Sequence, residues 1–159
     1  MAGIDIGGMT GLELGLAIRK GELSAEELAK TVIERAREHN DACNSFVRIT
    51  PGRALQAARQ TDRRLRKSRP LSNLDGVPTA LKDLVPTRGI RTQFGSRSFR
   101  YFLPPFSGQV AQRIQHAGMV SLGKLTTSEL GVMPVTETDL GGATKNPWNL
   151  GYSSGGSSG

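Results

Sequence analysis

Apolar positions recur at helical spacing through the first half of the chain and in short strand-like runs after it. Gly11 to Lys20 carries Leu12, Leu14, Leu16 and Ile18 and is closed by Gly21. Ser24-Ala25-Glu26-Glu27 has the form of a capping box, in which the Ser24 hydroxyl accepts from the Glu27 amide and the Glu27 carboxylate reaches back. Behind it, Leu28, Ala29, Val32, Ile33 and Ala36 keep the spacing of one helix face, which predicts an amphipathic helix ending at Asn40-Asp41. Phe46 to Ile49 reads as a short strand or an extended link. Pro51 then opens a helix over 53–67, with Ala54, Leu55, Ala58 and Leu65 inward and arginines outward. Past Pro70 the texture changes. Gly76 to Leu81 predicts a strand that delivers Lys82-Asp83 at its end, and Gly108 to His116 a helix stopped by Gly118. Met119 to Leu122 reads as a compact strand ending at Gly123-Lys124, and Thr126 to Glu129 as the cap of another helical turn. From Gly131 onward the pattern shows turn chemistry without periodicity. Helix and strand in alternation predict an α/β fold with a sheet that is at least partly parallel.

Length and composition narrow the function classes. A chain of 159 residues suits one domain of ordinary size. No run approaches the ~18 apolar residues that a membrane span needs. Met1 to Gly11 lacks a basic region followed by an apolar stretch, so a secretory signal is not expected. Cys43 is the single cysteine, which excludes an internal disulfide framework and favours a cytoplasmic location. The two histidines, His39 and His116, do not combine with Glu129, Glu137 and Asp139 at metal-ligand spacing, so no metal or cofactor is expected.

The formal charge of +7 is concentrated. Residues 51–100 hold ten arginines plus Lys67 and Lys82, against Asp62, Asp75 and Asp83 alone. Such density fits a phosphate-binding patch. However, no Phe, Tyr or Trp lies between Val47 and Gln93 to stack bases, and five of the ten arginines fall on the outer face of the helix predicted over 53–67. Nucleic acid is therefore not the expected partner.

Two features carry candidate chemistry. Lys82 follows an apolar strand, where a low dielectric lowers a lysine pKa and makes the amine a base; taken alone, however, it reads as a solvated strand end. The run Ser153-Ser154-Gly155-Gly156-Ser157-Ser158-Gly159 has backbone suited to cradling an anion but lacks the Lys-Ser/Thr of a phosphate loop. By composition alone it reads as a flexible linker or a tag.

Together the two acquire a different meaning. Gly76-Val77-Pro78-Thr79-Ala80-Leu81-Lys82-Asp83, Gly123-Lys124-Leu125-Thr126-Thr127-Ser128-Glu129-Leu130-Gly131 and Lys145-Asn146-Pro147-Trp148-Asn149 followed by Gly155-Gly156-Ser157-Ser158-Gly159 resemble, in order and spacing, the motifs of the amidase signature family. The resemblance implies an α/β/α sandwich around a mixed sheet, incomplete in this chain. Residues 1–70 would be an N-terminal helical segment packed on the core, and 71–159 the first part of that core. It implies that Lys82 is the catalytic lysine and Ser157 the bridging serine after a cis peptide bond. Gly155, Gly156 and Ser158 would form the supporting loop. The family's nucleophilic serine falls past Gly159, so the chain reads as an amino-terminal fragment inactive alone.

The implied reaction is hydrolysis of a linear or small cyclic amide through a Lys–Ser–Ser relay and an acyl-enzyme, without cofactor or metal. Lys82-Asp83-Leu84 and Thr127-Ser128-Glu129-Leu130-Gly131 look more like stand-alone amidases than the transamidosome glutaminase, which has Asn after Lys-Asp. The partner would be a small-molecule amide, with a homodimer one assembly for the intact enzyme. The alternatives are the glutaminase (A-type) component of a glutamine-dependent aminoacyl-tRNA amidotransferase, or a non-catalytic basic fragment that binds an acidic partner.

Overall fold

The computed structural model describes residues 6–159. Residues 1–5, which begin the segment read as lacking a secretory signal, lie outside the described residues. Helix α1 spans Gly11–Lys20 and starts on a complete capping box. The Thr10 hydroxyl accepts from the Glu13 amide, and the Glu13 carboxylate accepts from the Thr10 amide at 2.7 Å. Gly21 ends the helix at φ 74, a left-handed position that suits glycine. The box expected at Ser24 is only half present. Ser24 Oγ accepts from the Glu27 amide at 3.0 Å, while the amides of Ala25 and Glu26 donate to the Asp62 carboxylate at 2.8 and 3.1 Å. A side chain from a later helix thus completes this cap, which a local pattern does not reveal.

Helix α2 runs over Ala25–Cys43 and so passes the stop expected at Asn40-Asp41. The chain turns at Asn44, in the left-handed region at φ 51. Asn40 instead clasps the next strand: its Oδ1 accepts from the Phe46 amide at 2.6 Å and its Nδ2 donates to the Phe46 carbonyl at 3.2 Å. Strand β1 is Phe46–Ile49, α3 is Pro51–Leu65, β2 is Pro78–Lys82, α4 is Gln109–His116 and β3 is Val120–Leu125.

The main sheet has the order β1-β3-β2, with β1 antiparallel and β2 parallel to β3. It is mixed, as expected for this α/β chain. Strand β3 runs on to Leu125, past the end expected at Gly123-Lys124, because Lys124 and Leu125 pair with Leu81 and Lys82 on one side and Arg48 and Phe46 on the other. Gly123 permits this: a Cβ there would run into the Arg48 carbonyl oxygen of β1. Ala25, Ala29, Ala54 and Ala58 are fully buried and let α2 and α3 approach closely. Ile18, Leu28, Ile33, Val77, Val120 and Leu122 complete the cluster under the sheet. Burying each large aliphatic side chain contributes about 1.5–3 kcal/mol.

The helix-face arginines are partly committed. Arg59 pairs with Glu26 at 3.1 Å, and Arg53 donates to the Arg88 carbonyl at 2.9 Å. Arg64 grips the buried Asp75 with two nitrogens, at 2.6 and 3.3 Å; Thr61 Oγ1 and the Leu71 amide also donate to this carboxylate, each at 2.9 Å. This cluster fastens α3 to the loop that leads into β2.

Residues 131–159, read as turns alone, contain two hairpins. Strand β4 (Glu137–Thr138) pairs with β5 (Gly142–Ala143), and β6 (Lys145–Asn146) pairs with β7 (Asn149–Ser153), both antiparallel. Strands of two residues, such as β4, β5 and β6, are too short to show a period of two, which is why the pattern hides them. Among the described residues, no helix is long and apolar enough to cross a membrane.

Candidate active site

The parallel pairing of β2 and β3 sets Lys82 opposite Leu125, so the residues that follow each strand emerge at one end of the sheet. Open α/β sheets characteristically bind ligands beyond these carboxyl ends. Lys82 is half-buried, and its Nζ donates to Ser157 Oγ across 2.7 Å. Burial holds the Lys82 amine below the ordinary lysine range, because desolvation disfavours the ammonium.

Ser157 is held from behind. Its carbonyl accepts from Thr127 Oγ1 at 3.2 Å and from the Ser128 amide at 3.4 Å, and Ser158 forms a backbone bridge with Thr127. Two residues before Ser157, Gly155 bridges to Val135, and its carbonyl accepts from Thr136 Oγ1 at 3.0 Å. The Gly156–Ser157 peptide bond is cis. Gly156 is required for space, since a Cβ there would lie 2.6 Å from both the Met133 carbonyl oxygen and the Val135 nitrogen. Gly155 has open space around it. Neither glycine takes a positive φ, so close approach rather than conformational freedom explains Gly156. The run Gly155-Gly156-Ser157-Ser158-Gly159 also fits the Gly-x-Ser-x-Gly spacing of a nucleophile elbow. It follows a bridge and not a strand-to-helix turn, and the base beside its serine is a lysine.

Beside this pair lies a second lysine. Lys124 is fully buried, its Nζ donating to the Val85 carbonyl at 2.6 Å and to Thr92 Oγ1 at 3.1 Å, with Asp83 Oδ1 in ion contact at 3.2 Å. Asp83 Oδ2 accepts from the Gln93 amide at 2.8 Å. Burial pushes the Asp83 carboxyl up, against the pull of the Gln93 amide, Lys124 and Arg48. Burial likewise pushes the Lys124 amine down, against the attraction of Asp83. Asp83 and Gln93 face a cavity of about 310 Å³, which Thr127, Arg91 and Arg100 also line. Among the described residues, no group of three or more His, Cys, Asp or Glu side chains is placed to hold a metal ion.

The family model for amidases matches residues 27–159. The chain belongs to the amidase family. Amidases of this family hydrolyse carbon–nitrogen bonds of amides. Among its relatives is the A-type subunit of the glutamyl-tRNA(Gln) amidotransferase of Geobacter sulfurreducens, 41% identical over 146 residues, which cover 92% of this chain and 30% of that protein. Its counterpart from Acidothermus cellulolyticus is 40% identical over 150 residues, covering 94% and 30%. The solved structure of 6-aminohexanoate cyclic dimer hydrolase is 29% identical, covers 94% of this chain and 30% of its own, and has a TM-score of 0.84. Native peptide amidase from Stenotrophomonas maltophilia is 26% identical, with a TM-score of 0.89 over 97% of this chain and 33% of its own. The chain thus spans about 30% of the length of the curated amidase relatives that it matches.

The structure brings Lys82 and Ser157 together, with Gly156 and the backbone of Ser158 in support. It also gathers residues that sequence reasoning passes over: Asp83, Lys124, Thr127 and Ser128. A cation inside an otherwise apolar strand is the available signal for Lys124, but reading Gly123-Lys124 as a strand end removes it.

Proposed function

We propose that the chain carries two members of a proton relay for amide hydrolysis, Lys82 as base and Ser157 as bridge. The observation that supports this most directly is the 2.7 Å contact between Lys82 Nζ and Ser157 Oγ at a half-buried position. With Lys82 neutral, the contact reverses direction: the Ser157 hydroxyl donates to the amine. Ser157 passes its proton to Lys82 and takes one from the nucleophilic serine that the family resemblance puts after Gly159. That serine attacks the amide carbonyl, forming a carbon–oxygen bond. The relay returns the proton to the nitrogen as the carbon–nitrogen bond breaks and the amine departs. Water then hydrolyses the acyl-enzyme to the carboxylic acid. Only a neutral lysine can serve as the base, and the lowered basicity of Lys82 suits that role.

The substrate we favour is a small linear or cyclic amide, because Leu84 and the Ser128-Glu129-Leu130 stretch look more like those of free-standing amidases. The glutaminase role of an amidotransferase component is the second reading, favoured by identities of 36–41% to proteins of that name. Residues 1–159 alone should release no product from either substrate, and turnover by them would overturn the relay. The deciding assay uses the protein expressed with whatever sequence its gene carries beyond Gly159. Ammonia release from glutamine is compared with hydrolysis of a panel of simple amides. Lys82→Ala and Ser157→Ala should each lower turnover there by orders of magnitude with the fold retained; unchanged rates would remove both residues from the mechanism.

A further inference from the structure

We propose that Asp83 and Lys124 form a buried clamp that positions Lys82 and Ser157 against one another, an inference that rests on reading those two as the relay. Both clamp residues are fully buried, although a buried ion pair is commonly no more stabilising than apolar residues of the same shape. Its value therefore lies in where it holds the chain. Lys82 closes β2 and Asp83 opens the turn that follows, so the clamp grips the backbone next to Lys82 while the Lys82 amine is left to meet Ser157.

The hold is detailed. Asp83 donates its amide to the Leu125 carbonyl at 2.9 Å, and its carbonyl accepts from the Phe94 amide at 3.1 Å. Its carboxylate meets the Gln93 amide and the Lys124 ammonium. That ammonium in turn gathers three segments: the turn after β2 through Val85, the loop at Thr92, and β3 itself.

The loop carries the hold across to Ser157. The Phe94 carbonyl accepts from the Leu130 amide at 2.8 Å. Gly95, at φ 66, lies so close that a Cβ would be 2.8 Å from the Ser128 carbonyl oxygen and 2.9 Å from that of Thr127. Thr127 and Ser128 are the residues that donate to the Ser157 carbonyl. An unbroken line of contacts thus runs from Lys124 through Asp83 and the 93–95 loop to the bridging serine. Asp83 and Lys124 are positioning residues, not proton carriers.

The test reads Lys82 itself in the 159-residue chain, by competitive reductive methylation with formaldehyde and cyanoborohydride against pH. Lys67 and Lys145, both exposed, serve as internal references. Wild-type Lys82 should label with a midpoint below those of both. In the charge-free pair Asp83→Asn with Lys124→Met, which leaves the net charge beside Lys82 unchanged, Lys82 loses its register with Ser157 and its midpoint should rise. A rise on the order of half a pH unit corresponds to about a three-fold fall in its deprotonated fraction at pH 8. Thr61→Val, which disturbs the separate Asp75 cluster, should lose stability and leave the Lys82 midpoint in place. The double substitution leaves no lone buried charge and should therefore fold. A wild-type midpoint equal to those of Lys67 and Lys145 would overturn the relay and the clamp with it. A lowered wild-type midpoint that stays put in the folded double variant would overturn the clamp alone.

Discussion

Asp75 and Asp83 are both fully buried carboxylates on the segment that carries β2, yet their surroundings differ. Asp75 receives two guanidinium nitrogens, a hydroxyl and an amide, and its Arg64 partner keeps a quarter of its side chain in water. Asp83 receives one amide and faces an ammonium that is itself wholly buried. Guanidinium matches a carboxylate with a planar fork, whereas ammonium is a point charge that spreads its donors over unrelated groups. The first arrangement compensates a charge and fastens a helix. The second compensates poorly but orients three segments next to Lys82. A buried pair with modest energetic return, placed beside reactive groups, is better understood by what it aligns than by what it stabilises.

The comparison can be broken at either side. Asp75→Ala should have the largest effect, since removing one partner of a buried pair costs about 3–5 kcal/mol. Urea denaturation would measure it, and a loss under ~1 kcal/mol would deny Asp75 its fastening role. The double variant Asp83→Asn with Lys124→Met should lie within ~1 kcal/mol of wild type, because both charges leave together. A loss as great as that of Asp75→Ala would erase the distinction between the two clusters.

A third carboxylate sharpens the comparison from the surface. Hydrogen bonds from Arg59 and then Lys30 hold Glu26 down from 4.5 to about 2. A carboxylate depressed on folding contributes stability that is present above its unfolded pKa and fades as pH falls through the folded one. Glu26→Gln should therefore flatten the melting temperature between pH 4.5 and 2, a small effect that molar salt weakens because its partners Arg59 and Lys30 are exposed. An unchanged acid limb in the variant would show that the pair carries no linkage.

How far the sequence reveals these parts depends on the range of the forces involved. Helix α2 and strand β2 are legible because Leu28, Ala29 and Ile33, and Val77 and Leu81, repeat within a few residues of one another. Lys82 and Ser157 are legible through a resemblance of motifs; no local rule joins them. Lys124 is not legible, because its burial comes from pairing with both β1 and β2, and that register is settled between residues dozens of positions apart. The Asp62 cap on α2 and the role of Gly156 escape for the same reason: each is defined by a neighbour from a distant part of the chain.

The separation of Lys82 from Ser157 has a consequence for the order of assembly. Seventy-five positions divide them. Closing a flexible loop of that length costs about 4 kcal/mol in chain entropy, and one hydrogen bond returns only a fraction of it. The contact therefore cannot nucleate anything. It waits on the β1-β3-β2 sheet, whose own pairings are long-range, and on the seating of the terminal segment against Thr127, Val135 and Thr136. The reactive pair should then be among the last features to form and the first to open, while α2 and α3 with their alanine-lined interface form the more durable cooperative unit.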